Sequence, residues 1–282
     1  MSAPTPFPQQ PIAFIGGGNM ASAILGGLLR QGLPAAQVQV VEPWAEARER
    51  LQREFGVQAA PLADASLARA ALVVWAVKPQ TFREAAAAAA PHARGALHLS
   101  VAAGIRSDSI ARWLGTERIV RSMPNTPALV GRGMTALFAR AAATAADRQV
   151  VERVLAPTGA TLWVEQEAQL DAVTALSGSG PAYVFYFIEA MTRAGQEMGL
   201  PAAQAQQLAI GTFCGASELA RASSEPPSVL RERVTSKGGT TYAALTSMEQ
   251  SGVAERFVQA MHAACRRAAE LGDEFGRDDA AT

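Results

Sequence analysis

Short continuous apolar runs alternate with amphipathic stretches through the first half of the chain. The apolar runs predict strands at Ile12–Ile15, Val38–Val41, Leu72–Val77, Leu97–Val101 and Arg118–Ser122, with later candidates at Met134–Phe138 and Thr161–Val164. Helices are predicted between them at Met20–Gln31, Trp44–Phe55, Ala85–Ala90 and Ser107–Leu114. Unbroken apolar runs are typical of parallel strands that are covered on both faces. The order of elements therefore predicts a doubly wound α/β domain.

The pattern changes after about Glu165, where strand signals end and helical spacing takes over. Helices are predicted at Leu170–Leu176, Ala182–Met198, Ala202–Arg221 and Val253–Glu274. The sequence thus predicts an α/β domain over 1–165 and an all-helical domain over 166–282. Small residues recur on these helices and fit an ordinary core and a dimer interface equally well. They are Ala190, Ala194, Gly195, Ala209, Gly211, Gly215 and Ala216.

Composition and charge argue against several classes of partner and site. The 282 residues are 49% hydrophobic with a formal net charge of zero, so no nucleic-acid or acidic-membrane partner is indicated. The two cysteines and three histidines share no ligand spacing, so we expect neither a disulfide nor a metal site. The N-terminus lacks the features of a secretion signal, and no 18-residue apolar window predicts a membrane span. We therefore expect a cytoplasmic protein.

The first chemical motif follows the first strand directly. It reads Gly16-Gly17-Gly18-Asn19-Met20-Ala21 and fits the pattern G-x-G-x-x-A. The first glycine permits a tight turn, the second lets the backbone approach a pyrophosphate, and the alanine allows close helix packing. A plain turn is the alternative, but the position between a strand and a helix favours dinucleotide binding.

Three charged residues near the end of the second strand bear on the identity of the dinucleotide. Glu42 stands where an acid accepts hydrogen bonds from the adenosine ribose, which favours NAD. Arg48 and Arg50 follow closely and suit a 2′-phosphate instead. A solvated carboxylate with no ligand is the third interpretation of Glu42.

Two further segments follow strands and should line the same crevice, because ligands lie beyond the carboxyl ends of parallel strands. They are Ala76-Val77-Lys78-Pro79 and Ser122–Pro127, the second of which contains Asn125. A surface lysine at position 78 and a purely structural turn around Asn125 are the competing interpretations.

The helical half contains two glycine-serine turns that each open a helix. The first, Ser177–Tyr183, includes Ser177 and Ser179, and the second, Thr235–Thr241, includes Ser236 and Gly238. Backbone N–H groups and hydroxyls at a helix N-terminus are suited to a small carboxylate. A helix cap with flexible glycine is the alternative for each turn.

These motifs together resemble the pyrroline-5-carboxylate reductase family, from about Ile12 to Glu274. The resemblance rests on FIGGGNMASAILGGL, AVKPQ, LSVAAGI, RSMPNTPALVGRGMTAL, LSGSGPAYVFYFIEAM and TSKGGTT, in that order. It implies a Rossmann-like N-terminal domain followed by an all-α C-terminal dimerisation domain. It also implies reduction of L-1-pyrroline-5-carboxylate to L-proline by NADPH or NADH, in a homodimer that can assemble further.

The resemblance also implies roles for residues. Cofactor contacts are expected at Gly16, Gly17, Gly18, Asn19, Met20, Ala76, Val77, Lys78, Pro79 and Asn125, to which the ribose argument adds Glu42. Substrate contacts are expected at Gly238, Gly239 and Thr240, with Thr241 and Ser236 as catalytic candidates, and the anion-binding form of the first glycine-serine turn adds Ser177 and Ser179.

Two departures from the family pattern leave questions open. The strand end reads Glu42-Pro43-Trp44 where NADPH-preferring relatives often carry a small polar residue and an arginine, so either cofactor fits. Lys237 stands where many relatives have proline. The alternatives to an imine reductase are another small-substrate dehydrogenase, which would rely on Lys237, and a non-catalytic NAD(P)-binding protein.

Overall fold

A computed structural model describes residues 10–277 of the protein. The strands are β1 Ile12–Ile15, β2 Val38–Val41, β3 Ala59–Ala60, β4 Leu72–Trp75, β5 Leu97–Ser100, β6 Ile119–Met123, β7 Gly133–Ala139 and β8 Gly159–Trp163. The helices are α1 Asn19–Arg30, α2 Ala45–Phe55, α3 Pro79–Ala93, α4 Ser107–Leu114, α5 Ala145–Leu155, α6 Gln169–Val173, α7 Gly180–Glu197, α8 Ala202–Ala222, α9 Pro227–Arg233, α10 Thr240–Gln250 and α11 Val253–Gly276. The first nine residues, for which no secretion signal is predicted, lie outside this range.

The eight strands form one sheet in the order β3-β2-β1-β4-β5-β6-β7-β8. All neighbours are parallel except β6 and β7, which run antiparallel. The strand order reverses between β1 and β4, and a doubly wound sheet binds its ligand at such a reversal. The predicted doubly wound α/β fold is therefore confirmed, and β7 and β8 run opposite to the other six strands, which the sequence did not indicate.

Side-chain alternation along the strands builds a core on each face of the sheet. In β1, Ile12 and Phe14 join an apolar cluster with residues of α1, α2 and α5. Ala13 and Ile15 join a second cluster with residues of α3 and α4. Because both faces are covered, β1 is completely buried, which explains its unbroken apolar sequence.

The chain divides into two compact units, Ser179–Ala263 forming the second and all other described residues the first. The sequence pattern divided it at 165 instead, and the difference has a physical reason. Glu167 lies in the first unit because its carboxylate accepts hydrogen bonds from Ser107 and Arg121. The end of α11 returns to the same unit, where Arg106 bonds Asp273 at 2.8 Å and Phe275 lies against Gly104.

The second unit is entirely helical, as predicted. Tyr183 and Phe187 of α7 each meet Phe257 of α11 edge to face, with ring centroids 5.6 and 5.7 Å apart. Helix α9 was not predicted, and α10 was predicted only through the turn at Thr235–Thr241 that opens it. Large apolar side chains remain exposed along the unit, including Phe185 at 59% and Leu219 at 71%. None of the helices within residues 10–277 combines the length and apolar character needed to cross a membrane.

Candidate active site

The glycine loop lies at the reversal point of the sheet, between the ends of β1 and β4. The Gly16 N–H donates to the Val41 carbonyl and the Ala76 N–H donates to the Ile15 carbonyl, both at 2.8 Å. Gly16 has a φ of +95°, and a Cβ there would stand 2.7 Å from the Ala76 carbonyl oxygen. Position 16 therefore requires glycine for both backbone conformation and space.

The next two glycines face different surroundings. A Cβ on Gly17 would meet Leu51 at 2.7 Å, whereas a Cβ on Gly18 would meet nothing within 4 Å. Gly18 precedes α1, which begins at Asn19 and Met20 without a side-chain cap. Uncapped N–H groups and the helix dipole beside open space suit a pyrophosphate, so these residues fit the dinucleotide that the motif predicts.

Glu42 is buried and hydrogen-bonded to this loop, which the sequence did not indicate. It is only 6% exposed, and its carboxylate accepts hydrogen bonds from Gly17 N–H at 2.7 Å and Trp44 N–H at 3.0 Å. The two nearby arginines turn toward the backbone. Arg48 donates to the Glu42 and Pro43 carbonyls, and Arg50 donates to the Gly17 carbonyl at 2.8 Å.

The predicted strand through Val77 is wrong at its end, because β4 stops at Trp75 and Ala76 to Lys78 form the connection to α3. Lys78 precedes α3 and is exposed, and Pro79 occupies the first helical position, where its missing N–H costs nothing. The segment therefore lies beside the glycine loop, in the position expected of a cofactor-lining turn.

Asn125 joins two candidate segments through its side-chain amide. Its Oδ1 accepts from the Met134 N–H at 2.9 Å, and its Nδ2 donates to the Ser177 carbonyl and hydroxyl at 3.3 and 3.1 Å. Ser177 lies in a π-helical turn, Thr174–Gly178, and not in the loop that the sequence predicted. Single π-turns recur at functional sites. The amide of Asn125 is thus committed to protein contacts that hold this turn.

A buried polar pair lies in the sheet beneath these loops. Trp75 Nε1 donates to His98 Nδ1 at 3.0 Å, so the histidine ring accepts as a neutral group. Burial lowers the pKa of His98 to about 4, and a backbone contact with Ala93 offsets only part of this effect. No motif pointed to this pair in the sequence.

The second unit presents the predicted anion-binding turn before α10. Gly238 has a φ of +75°, and the Gly239 N–H donates to the Ser236 carbonyl at 3.0 Å. Helix α10 then begins at Thr240 with no side-chain cap. Ser236 and Thr240 are exposed and Thr241 is half-buried. The turn therefore offers unpaired N–H groups and hydroxyls to an anion. Ser179 precedes α7 in the same unit, where its carbonyl accepts from Ala182.

Known proteins match the chain in both parts. The family model described as pyrroline-5-carboxylate reductase dimerisation matches residues 167–271, and the one described as NADP oxidoreductase, coenzyme F420-dependent, matches residues 11–104. The pyrroline-5-carboxylate reductase of Pseudomonas aeruginosa is 44% identical over 268 residues, covering 94% of this chain and 98% of that protein. This chain belongs to the pyrroline-5-carboxylate reductase family.

Solved pyrroline-5-carboxylate reductases share the complete architecture. The structure from Coxiella burnetii has a TM-score of 0.86 at 34% identity, covering 94% of this chain and 99% of that one. The Plasmodium falciparum structure with NADP bound has a TM-score of 0.84 at 26% identity, covering 95% and 100%. The predicted family, fold and NAD(P) requirement are confirmed, and this member is an NAD(P)-dependent oxidoreductase acting on a C=N bond.

Proposed function

We propose that this protein reduces L-1-pyrroline-5-carboxylate to L-proline with NADPH or NADH, as the last step of proline biosynthesis. One observation carries the proposal. A chain of this family combines a preformed dinucleotide loop at Gly16–Gly18 with an uncapped helix N-terminus at Thr240 that suits a carboxylate. The substrate is a small cyclic imine with a ring carboxylate, and these two features fit the two reactants.

The turn before α10 binds the substrate carboxylate in this proposal. The N–H groups that follow Gly239 point out of an uncapped helix end, where the dipole adds to their attraction for an anion. The hydroxyls of Ser236 and Thr240 are exposed and can donate further hydrogen bonds. Gly238 and Gly239 allow the turn to bring its backbone close to the ligand, because neither carries a side chain.

Alignment of the two reactants provides most of the catalysis. A reduced dinucleotide held at the Gly16–Gly18 loop would supply the hydride for the imine carbon, and the product amine would carry the proton on its ring nitrogen. A protonated imine is already electrophilic, so the protein needs no strong side-chain acid. Thr241 is half-buried in the first turn of α10, and its hydroxyl hydrogen-bonds the ring nitrogen or relays a proton through water. Ser236, in the segment that precedes α10, assists as the second catalytic candidate.

We propose a homodimer formed through the helical unit, in which dimers can assemble further, and activity in the cytoplasm. The exposed apolar side chains of that unit support dimer formation, since isolated monomers rarely expose so much apolar surface. Light scattering after gel filtration measures the assembly, and a monomer at micromolar concentration would contradict it.

The deciding experiment is cofactor oxidation with L-1-pyrroline-5-carboxylate, tested separately with NADH and NADPH. Rapid turnover with formation of L-proline is the expected result. The same assay with 3-hydroxy acids and oxidised cofactor tests for a hydroxyacid dehydrogenase, which Lys237→Met would inactivate. Cofactor binding without turnover of any imine or hydroxy acid would overturn the proposal.

A further inference from the structure

An exposed tryptophan stands beside a buried carboxylate at the carboxyl end of β2. Trp44 is 75% exposed, although a side chain of this size is normally well buried, and Glu42 is 6% exposed. The two residues are linked, because the Trp44 N–H donates to Glu42 Oε1 at 3.0 Å. In dinucleotide-binding sheets this strand end receives the adenosine ribose, so both residues lie where adenosine binds.

The charge at this position favours a ribose without a phosphate. Each carboxylate oxygen of Glu42 accepts one backbone hydrogen bond, from Gly17 and from Trp44, which leaves capacity for a further donor. A ribose 2′-hydroxyl is such a donor. A 2′-phosphate has no donor at cytoplasmic pH and would meet a carboxylate of its own sign.

The cations that would normally bind a 2′-phosphate are directed elsewhere. Arg48 donates to the Glu42 and Pro43 carbonyls at 3.0 and 2.6 Å. Arg50 donates to the Gly17 carbonyl at 2.8 Å. Binding a phosphate through either guanidinium would draw on a group that already bonds the backbone of the glycine loop or of the β2–α2 connection.

We propose that Glu42 and Trp44 form an adenosine subsite that selects NADH over NADPH. Glu42 accepts the hydrogen bond of the ribose 2′-hydroxyl and repels a phosphate at that position. Trp44 offers its ring face to the adenine, since an exposed indole gains most from stacking on a planar base. This inference rests on the proposed function only in taking the cofactor to be a nicotinamide dinucleotide.

Isothermal titration of the purified protein with NADH and NADPH, without substrate, tests the proposal. We expect wild type to bind NADH at least about 10-fold more tightly. Glu42→Ser and Glu42→Gln should each shift the ratio of the two dissociation constants toward NADPH by about 10-fold or more. The matched control is Glu46→Gln, which removes an exposed carboxylate from the first turn of α2 and should leave the ratio unchanged.

A different result is expected for Trp44→Ala, because stacking on the adenine does not depend on the group at the ribose 2′-position. It should weaken both cofactors equally, and 5′-AMP with them, while the NADH to NADPH ratio stays constant. Thermal melts of each variant show that the protein is folded.

Two outcomes would overturn the proposal. One is a wild type that binds NADPH as tightly as NADH. The other is a Glu42→Ser variant that weakens both cofactors equally, since Glu42 would then act only by bracing Gly17. Unchanged affinities in Trp44→Ala would remove Trp44 from the subsite. These binding results are independent of turnover, so selective NADH binding without reduction of pyrroline-5-carboxylate would overturn the proposed reaction and not the subsite.

Discussion

Two glycine turns carry the chemistry of this protein, and they are constructed in opposite ways. The Gly16–Gly18 loop is fixed by the Val41 carbonyl at the end of β2, by the carboxylate of Glu42 and by the guanidinium of Arg50. The Gly238–Gly239 turn is held by local backbone hydrogen bonds, from the Gly239 N–H to the Ser236 carbonyl and from the Ala243 N–H to the Gly239 carbonyl, and its residues are exposed or half-buried.

The difference separates a preorganised site from an adaptable one. A loop that is already fixed loses little conformational entropy when a ligand binds, so its affinity depends on keeping its shape. An exposed turn has few packing contacts of its own, so its contribution resides in the groups that touch the ligand. Substitutions in the first turn should therefore act through structure, and those in the second through contact.

Gly16→Ala should break the first site most severely. The new Cβ would stand 2.7 Å from the Ala76 carbonyl oxygen at a φ of +95°, so the strand-to-helix turn must shift. We expect a loss of about 2–4 kcal/mol in the free energy of unfolding and a fall of roughly 100-fold in dinucleotide affinity. Calorimetry and denaturant titration measure both effects. Gly95→Ala, where a Cβ meets nothing within 4 Å, is the control and should bind normally.

Acid should lower the free energy of unfolding, because His98 is buried in the sheet beneath the first site. Its folded pKa is about 4 against 6.5 for the free side chain, so between these values the unfolded chain binds more protons than the folded one. Stability is therefore fully present above pH 6.5 and decreases as the pH falls toward 4, by on the order of 3 kcal/mol. Denaturant titration at pH 7, 5.5 and 4.5 measures the loss. His98→Gln keeps an acceptor for Trp75, and identical pH slopes in the two proteins would refute this account.

Thr241→Ala tests the second turn, where contact and not shape should matter. We expect kcat/KM to fall by about 10-fold or more, equivalent to about 1.4 kcal/mol, with no change in melting temperature. Ser247→Ala on the exposed face of the same helix is the control. An unchanged kcat/KM in Thr241→Ala would exclude this hydroxyl from the reaction.

Asn125→Asp should have the smallest effect. It tests the restraint that the Asn125 side chain places on the π-helical turn. The substitution keeps an acceptor for Met134 but removes the donor to Ser177. We expect a loss of about 1 kcal/mol in stability and a few-fold lower kcat with little change in KM. Thr126→Ser in the same segment is the control. Equal kinetics in Asn125→Asp and wild type would show that the π-helical turn needs no such restraint.

Much of the first unit was predictable because its local signals agree with its fold. The strands Ile12–Ile15 and Val38–Val41 were placed at their observed bounds, since each is a continuous apolar run bounded by turn residues. Helix α5 was missed, although Thr144 and Asp147 form a capping box whose spacing is visible in the sequence. The two-residue strand β3 leaves no pattern to detect.

The helices of the second unit and the side-chain contacts at the sites were harder to predict from the sequence. Helices α9 and α10 bury no residue fully, so no apolar stripe marks them. The sequence identified Glu42 and Asn125 as site residues but could not show that both side chains also bond the protein backbone. Such contacts depend on side-chain directions across distant segments, which spacing along a chain does not encode.

The path of α11 has a consequence for how the protein is made. This helix begins at Val253 and ends at Gly276, where Asp273 bonds Arg106 and Phe275 lies against Gly104. A ribosome therefore releases the β-strands of the first unit well before the segment that completes it. The earliest part of the chain to be synthesised can therefore make its full set of contacts only after the end of α11 has left the ribosome.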